Sequence, residues 1–135
     1  LVRCYAGELN QVFLNILSNA IDALEEAVSS DRWASRESGL TEAIAPTIEI
    51  CTEQLDQSIR VRIIDNGLGI PEEVKVRIFD PFFTTKPVGK GTGMGLANCY
   101  QIITEQHGGR LICNSTRDRG SEFVIEIPIH QTQLS

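Results

Sequence analysis

Ile59-Arg60-Val61-Arg62-Ile63-Ile64-Asp65-Asn66-Gly67-Leu68-Gly69, IRVRIIDNGLG in one-letter code, alternates apolar and charged residues and then breaks into a turn. Ile59, Val61 and Ile63 keep the two-residue period of a half-buried strand. Asn66, Gly67 and Gly69 are turn formers, so the strand delivers Asp65 to its exit. Upstream, Ile48 and Ile50 alternate with polar neighbours, and Leu55-Asp56-Gln57-Ser58 fits a hairpin turn between two strands.

The rest of the chain organises around that hairpin. Between Glu8 and Val28 the apolar residues fall at 9, 12, 13, 16, 17, 20, 21, 24, 27 and 28, the spacing of an amphipathic helix. Residues 29–47 are mixed and polar and read as a connection, with Trp33 packing back on the core. Pro71, Glu72 and Glu73 suit the first turn of a short helix ending near Phe79, with proline near N1 and acids at the positive end of the dipole. Residues 80–95 hold two prolines and four glycines and read as a long loop, of the kind used as a lid. A second helix is predicted over 95–106, stopped at His107-Gly108-Gly109, where His107 serves as a cap. Strands over 110–115 and 122–129 close the chain. Helix, two strands, helix, helix, two strands predicts a two-layer α/β sandwich with one helical face.

Composition bounds the function. The chain has 135 residues, which suits one domain, 1–135. Its net charge of −6 argues against nucleic acid as a partner, because such footprints are basic. No apolar run is long enough to span a bilayer, and no signal peptide opens the chain. Leu1 stands where a methionine would start a whole protein, so a fragment of a longer chain is expected. Cys4, Cys51, Cys99 and Cys113 form no CxxC pair and have no histidine at ligand spacing. Buried, reduced thiols in a cytosolic domain are expected rather than zinc.

Three stretches can carry chemistry. GKGTGMGL, residues 89–96, is neither a P-loop, because Gly91 follows Lys90, nor a dinucleotide fingerprint, because no strand precedes it. It reads either as a flexible surface loop or as a phosphate cradle at a helix N-terminus, with Lys86 and Lys90 nearby. On the first helix, Glu8, Gln11, Asn15, Asn19, Asp22 and Glu26 form one stripe. The stripe is either a solvated face or a place where amide oxygens meet Mg²⁺. Asp65 is either a turn-capping carboxylate or an acceptor for the amino group of adenine.

The chain reads NQVFLNILSNAIDA, then DNGLGI, then FDPFFTTK, then GTGMGL. That order resembles the catalytic ATP-binding domain of two-component sensor histidine kinases, in the superfamily of DNA gyrase, heat-shock chaperones and mismatch-repair ATPases. The resemblance runs from about residue 5 to 129. It implies a Bergerat-type fold, with a mixed, mostly antiparallel sheet under about three helices, and it implies ATP and Mg²⁺ as ligands. Asn19 would be the metal ligand, with Asn15 beside it near the phosphates. Asp65 would read adenine, with Gly67, Gly69 and Ile70 at the ring. Phe79 and Asp80-Pro81-Phe82-Phe83 are similar to the phenylalanine box of the lid. Thr85, Lys86, Lys90, Gly91, Thr92, Gly93, Met94, Gly95 and Leu96 would enclose the triphosphate.

The resemblance also implies partners. The phosphate acceptor would be a histidine on a separate dimerisation domain of the same parent, with a response regulator served indirectly. The domain would be cytoplasmic, with no membrane contact of its own. One position departs from the family pattern, and another separates its branches. Asp22 stands where many relatives carry a lysine or arginine. Asn15 stands where hydrolysing relatives carry a water-activating glutamate, which favours transfer over a clamp-type ATPase. A serine-directed kinase and a purely regulatory nucleotide-binding module stay open.

Overall fold

The computed structural model describes residues 2–29, 45–81, 95–116 and 119–130. Four strands, β1 (Ile48–Gln54), β2 (Ser58–Asp65), β3 (Arg110–Thr116) and β4 (Gly120–Pro128), form one sheet in the order β1-β2-β4-β3. Every pairing among them is antiparallel. The expected hairpin turn closes with Leu55 N–H donating to Ser58 O at 2.8 Å. Ile59, Val61 and Ile63 of β2 and Phe123, Ile125 and Ile127 of β4 form the apolar floor of the core. Burial of this kind stabilises by about 25 cal/mol per Å² of apolar area.

The opposite sheet face carries the alternate residues, several of which are charged. Arg60 bridges Glu53 at 2.8 Å and Glu126 at 3.1 Å, and Arg62 reaches Glu122 at 2.6 Å. Acceptance from Asn114 and Arg62 holds the Glu122 carboxyl below its ordinary range. The Arg60 and Arg62 positions in the opening motif are therefore cross-strand partners on the outer face.

Helix α1 (Ala6–Ser29) lays Leu9, Val12, Ile16, Ala20, Leu24 and Ala27 inward. Helix α2 is only Glu72–Lys75, and Pro71 is its N-cap rather than its first residue. Pro71 O accepts from Val74 N–H and Lys75 N–H, and turns replace helix from Val76 onward. Helix α3 (Leu96–Gln101) passes directly into a π-turn over Ile102–Gln106. Ile102 O there accepts from His107 N–H, five residues on. These helices cover one face of the sheet, as expected.

His107 does more than end that helix. It is 1% exposed. Tyr5 N–H donates to Nε2 at 3.0 Å, and Nδ1 lies 2.8 Å from Ile102 O. An amide N–H only donates, so Nε2 accepts and the ring proton sits on Nδ1. The Tyr5 ring meets the imidazole edge-on at 5.4 Å. His107 thus ties the start of α1 to the end of α3.

The cysteines divide. Cys99 is fully buried, while Cys4, Cys51 and Cys113 are partly exposed, and all four are free thiols. Ile50 also departs from its strand pattern. It is 56% exposed because β1 is an edge strand with no described helix over that position. The 30–44 part of the polar connection, Trp33 included, lies outside the described residues.

Candidate functional site

The polar stripe of α1 is not evenly solvated. Glu8, Gln11 and Glu26 are exposed, Asn19 and Asp22 are half-buried, and Asn15 is only 5% exposed. Burial of an amide is costly unless its polar atoms are engaged. Asn19 Nδ2 donates to Asn15 Oδ1 at 3.3 Å, as one-turn spacing on a helix permits. The middle of the stripe is therefore withdrawn from solvent, and its ends face water.

Asp65 is the second buried polar group of these motifs. It is the last residue of β2, 5% exposed, paired with Ile48 on one side and Ser121 on the other. Its Oδ1 accepts Gly67 N–H at 2.9 Å, so the capping role expected of it is present and fixes the carboxylate's orientation. Gly67 passes close to α1: a Cβ there would stand 3.1 Å from Ala23 O and 3.0 Å from Asp65 Oδ1. That close approach joins the carboxylate loop to the helix that carries the two asparagines. Gly69 has φ +77°, a left-handed conformation that glycine adopts without strain.

Asn66 holds the same loop from outside. Its Oδ1 accepts Thr47 N–H and its Nδ2 donates to Ala45 O, both at 2.9 Å. Ile70 N–H donates to Ser115 Oγ at 2.6 Å. Gly120, at φ +102°, lies against Asp65 O, and a Cβ there would overlap it. Sequence reading missed Ser115, Ser121 and Gly120. Their partners are tens of residues away in sequence, and no local spacing signals them.

Ile70, Phe79 and Leu96 pack against the buried cluster, and the Phe79 ring stacks on Tyr100 at 5.1 Å. Gly95 caps α3 with φ −82°, and a Cβ there would meet Ala97 N at an ordinary 3.9 Å, so its backbone conformation does not demand glycine. Phe82, Phe83, Thr85, Lys86, Lys90, Gly91, Thr92, Gly93 and Met94 lie outside the described residues.

The donor set decides how a metal would be held. No group of three or more His, Cys, Asp or Glu side chains stands ready for a metal ion among the described residues. Two amide side chains are hard, neutral donors and fill only part of an octahedral shell. They fit Mg²⁺ that arrives with phosphate oxygens and water, rather than a resident ion. Among the described residues, no helix is long and apolar enough to cross a membrane.

Residues 5–131 match the family model described as histidine kinase-, DNA gyrase B- and HSP90-like ATPase. Sensor kinase CckA of Brucella abortus is 37% identical over 127 residues, covering 94% of this chain and 13% of that protein. Sporulation kinase E of Bacillus subtilis is 32% identical over 131 residues, covering 96% and 15%. The chain therefore spans under a fifth of these two relatives. Among solved structures, the nucleotide-free catalytic domain of histidine kinase ThkA superposes with a TM-score of 0.71 at 34% identity, covering 95% of this chain and 70% of that one. ThkA is also known in complex with the response regulator protein TrrA, where the TM-score is 0.61 at 32% identity and the coverage is 89% and 28%.

Proposed function

We propose, for a chain that belongs to the histidine kinase-, DNA gyrase B- and HSP90-like ATPase family, that it binds Mg-ATP and offers the γ-phosphoryl group to a histidine. That histidine stands on a separate dimerisation domain of the same parent protein. A response regulator is then served indirectly, as the ThkA–TrrA complex suggests by analogy. The domain works in the cytoplasm, and its parent is either soluble or membrane-anchored.

The observation that carries this reading is the burial of Asn15 and half-burial of Asn19 while Glu8, Gln11 and Glu26 of the same stripe stay exposed. A merely solvated stripe has no reason to bury its middle. Asp65 accepts the adenine amino group, and Gly67 and Gly69 bring backbone close to the ring. Asn19, with Asn15 beside it, holds Mg²⁺ through amide oxygen. The ion, when bound, neutralises charge on the phosphate oxygens. Lys86 and Lys90 add positive charge at the triphosphate, and Gly91, Thr92, Gly93, Met94, Gly95 and Leu96 enclose it.

One feature supports transfer over hydrolysis, and another bears on where the acceptor stands. Asn15 is a neutral amide with no useful basicity, so it takes no proton from water. His107 has both ring nitrogens engaged in the core, so it offers no nucleophile. Steady-state turnover of Mg-ATP by the 135-residue chain tests the reading. Very slow hydrolysis is expected, with a slight rise in Asn15→Glu. Brisk hydrolysis that disappears in Asn19→Ala would assign a clamp-type ATPase instead.

A further inference from the structure

We propose that Ser115 is a positioning residue that sets the floor of the base pocket relative to the Asp65 carboxylate. This rests on the reading of Asp65 as the adenine acceptor.

The loop from Asp65 to Ile70 is irregular backbone, with a left-handed turn at Gly69. Asn66 and the Asp65–Gly67 bond hold its middle, and each of its ends has a separate anchor. Its first end is fixed by the sheet. Asp65 pairs with Ser121 of β4, and Gly120 lies directly against the Asp65 carbonyl. At its far end Ile70 packs against the core, and its backbone N–H is received by one side chain. Ser115 Oγ accepts the Ile70 N–H at 2.6 Å. The hydroxyl's own proton has two partners within reach, Gly120 O at 3.1 Å and Ser121 Oγ at 3.2 Å. Ser115 and Ser121 are also directly paired in the β3–β4 register.

Both ends of the loop are therefore referenced to the same hairpin, β3–β4. The carboxylate comes from one end and the ring's floor from the other. The separation between them is what a planar base must match. Ser115 controls that separation without touching the base itself.

Removing the hydroxyl leaves the Ile70 amide without its acceptor, while β2 still holds Asp65. The floor then moves relative to the carboxylate, and the phosphate end of the cleft, on α1, is untouched. The expected signature is loss of base recognition with retention of phosphate binding. A general structural role would instead lower thermal stability and leave nucleotide preference alone.

Calorimetric titration of the 135-residue chain with Mg-ATP and Mg-GTP tests this, at a temperature where circular dichroism shows each variant folded. In Ser115→Ala, ATP affinity should fall about tenfold while GTP affinity changes little, as expected for one lost buried hydrogen bond. Ser115→Thr keeps the hydroxyl and should restore the preference. Unchanged affinities in Ser115→Ala overturn the proposal, and so does an equal loss for both nucleotides. If the alanine variant does not fold, the nearly isosteric Ser115→Cys, a weaker acceptor, carries the same test with the same readings. A wild-type chain with no preference for ATP overturns the Asp65 reading as well, and that result is visible before any variant is made.

Discussion

His107→Ala should destabilise the chain severely without altering any phosphoryl chemistry. The imidazole is 1% exposed and accepts Tyr5 N–H at 3.0 Å. Deleting it orphans a backbone donor at the start of α1, which costs about 1–3 kcal/mol. The bond to Ile102 O is lost as well, for about 1 kcal/mol. Ile102 O is not orphaned, because His107 N–H still reaches it at 3.2 Å. The vacated volume adds a cavity cost, since buried large-to-small changes run at about 2–5 kcal/mol in total. These terms overlap, and about 3–5 kcal/mol is a fair composite. For a chain of this size that lowers the melting temperature by about 10–20 °C. Urea denaturation monitored by circular dichroism reads the change directly. An unchanged midpoint, or phosphate found on His107 after incubation with ATP, would refute the reasoning.

Asp65→Asn replaces an acceptor-only group with a mixed one and should reduce the preference for Mg-ATP over Mg-GTP about tenfold or more, read by calorimetry. Burial pushes the Cys99 thiol up to about 11 and the Cys113 thiol up to about 12. Both should react slowly with a thiol reagent at pH 8. Their stabilising contribution is complete below the ordinary thiol value of 9.0 and is lost as pH rises through about 11 to 12; rapid labelling of folded protein at pH 8 would contradict this. Glu122 behaves oppositely. Its carboxyl is depressed by Asn114 and Arg62, so its contribution is present above the ordinary 4.5 and disappears as pH falls through the lower folded value. Glu122→Gln should flatten that part of an acid-denaturation curve, and an identical curve would remove Glu122 from the account.

The sequence was most legible where one pattern dominated. Helix α1 was readable because ten apolar residues between Leu9 and Val28, over about five turns, permit only one period, and β2 because isoleucine, valine and arginine alternate cleanly. The short α2 was overestimated. Turns replace helix from Val76 onward, where the β-branched Val76 and Ile78 have lower helix propensity. The π-turn at Ile102–Gln106 has no compositional signature, since one shifted hydrogen bond decides it. At the site, Asn15, Asn19, Asp65, Gly67 and Gly69 were legible because they lie in compact local motifs. Ser115 and Gly120 were not, because their meaning depends on the register of β3 and β4 against β2. The same limit applies to His107. Its glycine neighbours signalled a helix end, but nothing local announced Tyr5, 102 residues away.

Phosphoryl transfer to an added partner tests the central claim most directly. The 135-residue chain is mixed with the purified histidine-bearing dimerisation domain of its parent protein and Mg-ATP labelled at the γ position. Acid-labile label should accumulate on the partner and not on this chain. Asn19→Ala should reduce it severely, because the amide oxygen proposed as the Mg²⁺ ligand is gone. Label on this chain itself, or none on the partner while ATP is hydrolysed to phosphate, would contradict the account.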